Sequence, residues 1–222
     1  MVDPILRFMA TWGVPIMMGG VYLVLAITSN ASTTAKAWMA IGFAFVVVIW
    51  TLVRFFMKQA GLTRALSVGD TARVLELTAR DARSTNAAIR TRALINQAVA
   101  HDHAGDPAAT LAALANVEIT SLSPAQRSVY ATLAGSARIG ATLASGDTAE
   151  ARRLLDTVIV PASAALDPRM HPTAHLHVAL SIGRIVAAEG NTADARLTLQ
   201  SVIDDIRATP ALREMAKRAQ PR

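Results

Sequence analysis

The front of the chain is apolar without relief, and everything behind it mixes apolar and polar positions at helical spacing. No charged residue falls between Arg7 and Lys36, and none between Lys36 and Arg54. The first run, Trp12 to Thr28, and the second, Ala37 to Phe56, each approach the roughly 20 residues a helix needs to cross about 30 Å of hydrocarbon. Asp3-Pro4 offers a side-chain cap and a proline at the first helical position ahead of the first run. A cleaved signal peptide would want a stronger basic flank, and a second full-length run follows within ten residues. The pattern predicts a membrane hairpin in residues 1–58, with spans at about 12–28 and 37–56, and a helical domain over 59–222.

Basic residues flank the outer ends of the two runs (Arg7 before them; Arg54, Lys58 and Arg64 after), while the connecting segment carries only Lys36. The positive-inside rule then places both termini and the domain in the cytoplasm. Trp12 and Trp38 fall near span ends, as interfacial anchors do. Neither span carries His, Asp, Glu or Lys, so a proton relay or ion path at depth is not expected. Gly13, Gly19 and Gly20 in the first run, with Ala40 and Ala44 in the second, allow helices to approach closely. That face serves either the packing of the two spans or docking on another membrane protein.

Behind the membrane segment one element recurs. It reads Val68-Gly69-Asp70-Thr71-Ala72, Ala104-Gly105-Asp106-Pro107-Ala108, Ser145-Gly146-Asp147-Thr148-Ala149 and Glu189-Gly190-Asn191-Thr192-Ala193, the glycines 36, 41 and 44 residues apart. Glycine ends one helix in the left-handed region and the Asp or Asn after it caps the next. A period of this length marks a helical repeat array. Ala87 to Ala104, Pro124 to Ser145 and Pro172 to Glu189 are predicted as first helices of three pairs. Asp106 to Val117, Asp147 to Val160 and Asn191 to Ala208 are predicted as the second. Pro124, Pro161, Pro168, Pro172 and Pro210 are expected in connections or at helix starts.

Over roughly residues 60 to 218 the chain resembles the tetratricopeptide repeat family. The Gly-Asp-x-x-x-Ala turn followed by apolar positions carries the likeness, with Ala151 and Ala195 as the small residue of the second helix, then Leu155 and Leu199. Val74 and Thr110 replace that alanine in the other copies, and the repeats exceed the usual length of about 34 residues. The order of two spans followed by such repeats is similar to a class of bacterial inner-membrane proteins linked to haem biosynthesis, in architecture alone. The resemblance implies an all-α array of stacked hairpins with a concave groove lined by first helices. Registered on Gly105 and Gly190, it puts Arg92, Asn96, His177 and Arg184 on that groove as candidate partner-binding residues.

Composition then narrows the chemistry. Apolar residues make up 52% of the 222 and charged ones 17%, unusual for a wholly soluble protein. With no cysteine, thiolate catalysis and cysteine metal sites are out. His171 and His175 share a helix face at i, i+4, with His177 beside them, and His101 and His103 flank Asp102; surface or groove histidines are the expected reading, not a metal pair. There is no phosphate loop, dinucleotide fingerprint or nucleophile elbow, so no enzyme, cofactor or metal is expected. The net charge is +6, yet from Lys58 onward 19 basic and 15 acidic residues are scattered, with few aromatics to stack on bases. Lipid headgroups, other membrane subunits or soluble proteins are the expected partners, not nucleic acid. A non-catalytic scaffold or accessory subunit of a bacterial inner-membrane complex, respiratory or photosynthetic, is the leading expectation, and an adaptor or assembly factor recruiting soluble clients the alternative.

Overall fold

The computed structural model of the chain describes residues 13, 17, 19–21 and 32–221. The described residues form helices and turns, with no strand among them, so the fold is all-α. Two compact units divide the chain, Met1–Ala60 and Gly61–Arg222.

In the first unit the main element is α1, Thr33–Val68. At 1.5 Å per residue its 36 residues run about 54 Å, more than a hydrocarbon core requires. It is the one described helix long and apolar enough to cross a membrane. Most of the other apolar run lies outside the described residues, apart from residues 13, 17 and 19–21, which are helical. Gly19 lies under the ring of Phe43, where a Cβ would come within 2.9 Å of Cζ. Gly13 and Gly20 meet nothing comparable. The half-buried face of α1 passes through Met39, Phe43, Val46 and Trp50, while Ala40 and Ala44 are exposed. Among the described residues, the close approach is that of the Phe43 ring to Gly19; most of the first run, and with it the expected small-residue face, lies outside them.

Residue 58 is helix interior, and the division between the two units falls just after it, at Ala60. Past Ala60 the sequence turns amphipathic, and Leu62 and Ala65 are buried with Val74 and Ala100. The last turns of α1 thereby serve as the first helix of the first hairpin, closed by α2 (Thr71–Thr78). Three more hairpins follow: α3 (Ala87–Ala104) with α4 (Pro107–Leu114), α5 (Pro124–Ala144) with α6 and α7 (Thr148–Leu154, Val160–Ala164), and α8 (Pro172–Ala188) with α9 (Thr192–Asp204). A final helix, α10 (Pro210–Ala219), packs on α8 and α9. A π turn, Leu155–Ile159, joins α6 to α7 without a break. Pro161, expected in a connection, therefore sits inside a continuous helix, just past a turn where the regular hydrogen-bond ladder is already interrupted.

Each hairpin turn is built the same way. Gly69, Gly105, Gly146 and Gly190 have φ of 75–86°, which a side chain would resist. The next residue then does two jobs. Its N–H bonds back into the first helix (Asp70 to Ala65 O, 2.9 Å; Asp147 to Thr142 O, 3.3 Å), and its side chain caps the second (Asp70 Oδ1 from Arg73 N, 3.0 Å; Asp147 Oδ1 from Glu150 N, 2.9 Å). Five residues past each glycine, Val74, Thr110, Ala151 and Ala195 are wholly buried. Thr110 satisfies its hydroxyl by donating to Asp106 O at 2.7 Å, which is how a polar residue stands where the others are apolar.

Candidate functional site

In the Gly61–Arg222 unit the first helices face inward, and the two ends of the array meet. A Cβ on Gly69, in the first turn, would lie 3.5 Å from Ala211 Cβ of α10. Arg218 Nη2 of α10 donates to His103 O of α3 at 2.7 Å. The ends thus narrow the inner face, on which Asp102, His103, Ser136, His177 and Ser181 are buried.

Two polar clusters fill it. In the first, Arg184 Nη1 of α8 donates to both oxygens of Asp102 of α3, at 3.2 and 3.1 Å. The pair spans two helices that do not adjoin in the array; α5 lies between them and is crossed at Gly140, where any Cβ would overlap Asp102 Oδ1 and Arg184 Nη1. Burial raises the Asp102 carboxyl above its usual range, opposed chiefly by the Arg184 guanidinium. An open cavity of about 410 Å3 beside the pair is lined by Asp102, Asp106, Gly140, Arg184 and Arg218 among others.

In the second cluster the imidazoles of His103 and His177 stack, centroids 6.4 Å apart and planes within 10°. Ser136 Oγ lies 3.3 Å from His177 Nδ1, and Ser181 Oγ 3.0 Å from Ser136 Oγ. Neither ring nitrogen of His103 has a partner; an orphaned buried polar group costs about 1–3 kcal/mol. Burial pushes His103 down to about 4, helped by the positive Arg184 and Arg218, and His177 down to about 3, helped by His103 and Arg184. Both imidazoles are therefore neutral at pH 7. A cavity of about 160 Å3 adjoins them, bordered by residues of α1, α3, α5, α8 and α10.

The four groove residues read from the sequence do lie on first helices, but they are not one open surface. His177 is buried and Arg184 is held by Asp102. Asn96 lines the smaller cavity. Arg92 is half-buried, its Nε donating to Ala88 O at 3.4 Å, and its charge acts on Tyr130. Of the mildly basic concave surface expected from repeat register, Arg184 still borders an open cavity, together with Arg218. Of the other histidines, His171 precedes α8, and His175 Nε2 sits 3.2 Å from Leu166 O. Among the described residues no three His, Asp or Glu side chains are grouped to hold a metal ion. Sequence reasoning missed Asp102, Gly140 and Arg218 as partners in the interior. Compared with protein-family models, curated proteins and solved structures, the chain matches none.

Proposed function

We propose that the chain is a non-catalytic, membrane-anchored scaffold subunit of a larger bacterial inner-membrane complex, its second unit a tetratricopeptide-like array. The observation that carries this reading is α1. Over the window apolar enough to cross a membrane, none of its residues is buried within the protein, and Trp38, Ile41, Phe45 and Phe56 stand exposed. Such a surface requires lipid or protein cover, and the same helix continues into the hairpin array. The two-span hairpin, with both termini and the array in the cytoplasm, belongs to this proposal.

The adaptor reading, in which soluble clients enter the inner face, is less favoured because Asp102, Arg184 and α10 already occupy that face. Reversing Arg184 to Glu cannot test it cleanly, since the change would also destroy the buried ion pair; Arg92→Glu avoids that. The experiment is solubilisation of the tagged full chain from its own membranes in mild detergent, followed by a native gel and mass spectrometry. A discrete large band with partners in fixed ratio supports the scaffold. A small band carrying substoichiometric soluble partners, lost in Arg92→Glu, supports the adaptor, and a monodisperse free protein refutes both.

A further inference from the structure

The cavity beside the stacked histidines is built as a ligand site would be. Its volume of about 160 Å3 is close to the roughly 150 Å3 of a dry cavity that takes up one benzene ring. Leu66, Val99, Leu133 and Leu212 supply apolar wall from four different helices. The exposed Thr63 and Thr173 lie at its border, whereas His103 and His177 are buried. An entering molecule thus passes hydroxyl groups, meets apolar walls and ends against two imidazoles.

Charge decides the class of molecule. The imidazoles are uncharged at neutral pH, the cavity lining holds no Arg, Lys, Asp or Glu among the described residues, and the guanidiniums acting on the pair are engaged elsewhere, Arg184 by Asp102 and Arg218 by the His103 carbonyl. A carboxylate or an ammonium would find no counter-charge along these walls and would lose its hydration. A hydroxyl suits it, because it can donate to one ring nitrogen or accept from the other. Ser136 engages Nδ1 of His177, which leaves the imidazole pair with nitrogens for which the domain provides nothing. Leucines at these two positions would complete an apolar core, so the imidazoles are not what packing alone would select.

We propose that this cavity binds an uncharged, single-ring molecule bearing a hydroxyl, of the phenol class, with its ring against the four apolar side chains and its hydroxyl on the His103–His177 pair.

The test uses the full chain in detergent micelles with isotope-labelled histidine, titrated with phenol, with toluene as the isostere lacking the hydroxyl, and with benzoate. Saturable movement of the His103 and His177 ring resonances by phenol is expected, at least tenfold weaker with toluene and absent with benzoate. Thr63→Trp, which crowds the border without touching the core, and Val99→Phe, which fills the space, should each abolish saturation. Shifts that rise linearly with every compound, as partition into micelles would give, overturn the proposal. So does equal affinity for phenol and toluene, or phenol binding that survives in a folded Thr63→Trp protein.

Discussion

Removing Arg184 should be among the most damaging single changes to the array. In Arg184→Met the side chain keeps its length but loses its charge, leaving Asp102 with only 8% of its side chain exposed and no cation bonded to it. Breaking a buried pair from one side costs about 3–5 kcal/mol. For a unit of this size each kcal/mol moves the melting temperature by about 2–4 °C, so a fall on the order of 10 °C is expected. The loss is a property of the stranded carboxylate, not of the pair's net attraction. One guanidinium nitrogen reaches both oxygens, without the two-pronged geometry that makes such pairs strong. Hence Asp102→Leu combined with Arg184→Met should recover most of the stability, and the deficit of the single variant should shrink as pH falls and Asp102 takes up a proton. Urea unfolding of the full chain in micelles, followed by circular dichroism, measures all three proteins. A loss below about 1 kcal/mol for Arg184→Met, or a double variant no better than the single, would refute the reasoning.

Two further outcomes follow from the same interior. Gly140→Ala places a methyl group on the ion pair and should cost about 1–3 kcal/mol, as overpacking does; in an Asp102→Ala background thermal unfolding should show that penalty largely gone. The histidines set an acid limit: their folded values, about 4 and about 3, lie below the usual 6.5, so the unfolded chain binds more protons and stability falls as pH drops from about 6.5 towards 4. His103 alone accounts for about 3 kcal/mol at 1.36 kcal/mol per pH unit. Asp102, raised by burial, works in the opposite direction above the ordinary carboxylate range, losing its contribution as pH rises through its folded value. Stability of His103→Leu measured from pH 7 to 4 should show a shallower acid slope than the native chain; an unchanged slope would place the proton uptake elsewhere.

The elements that local chemistry dictates were legible in the sequence. α3 occupies the predicted Ala87–Ala104, and α5 and α8 fall within one residue of expectation, because a left-handed glycine followed by a capping Asp or Asn is a local signal. The second helices were less well read: α4 ends at Leu114 and α9 at Asp204, ahead of the expected Val117 and Ala208, where no glycine marks the end. The interior was legible only as a face. Repeat register shows which way His177 and Arg184 point, but what packs against them comes from chain far away: Asp102 is 82 positions from Arg184, and Arg218 is 115 from His103. A single Asp in a helix that also carries two histidines reads as a solvated charge, and Gly140 among Gly135, Ser136, Ala141 and Ala144 reads as one more small residue. No periodicity distinguishes a glycine crossed by an ion pair from one on a loose surface.

Meeting of the ends changes how the array should come apart. In an open array each hairpin touches only its neighbours, so damage at one terminus leaves the other protected. Here Ala211 of α10 approaches Gly69, and Arg218 holds His103 O, so the last helix is a neighbour of the first two hairpins. Ala211 is almost wholly buried, and Ala211→Asp puts a charge into that contact without altering α2 or α3. Hydrogen exchange read by mass spectrometry should then show faster exchange not only across Pro210–Ala219 but also in Thr71–Thr78 and the last turns of Ala87–Ala104, by tenfold or more. Protection in α4, whose neighbours are α3 and α5, should fall less. If α10 loses protection while α2 and α3 keep theirs, the ends touch without energetic coupling, and the array behaves as an open one.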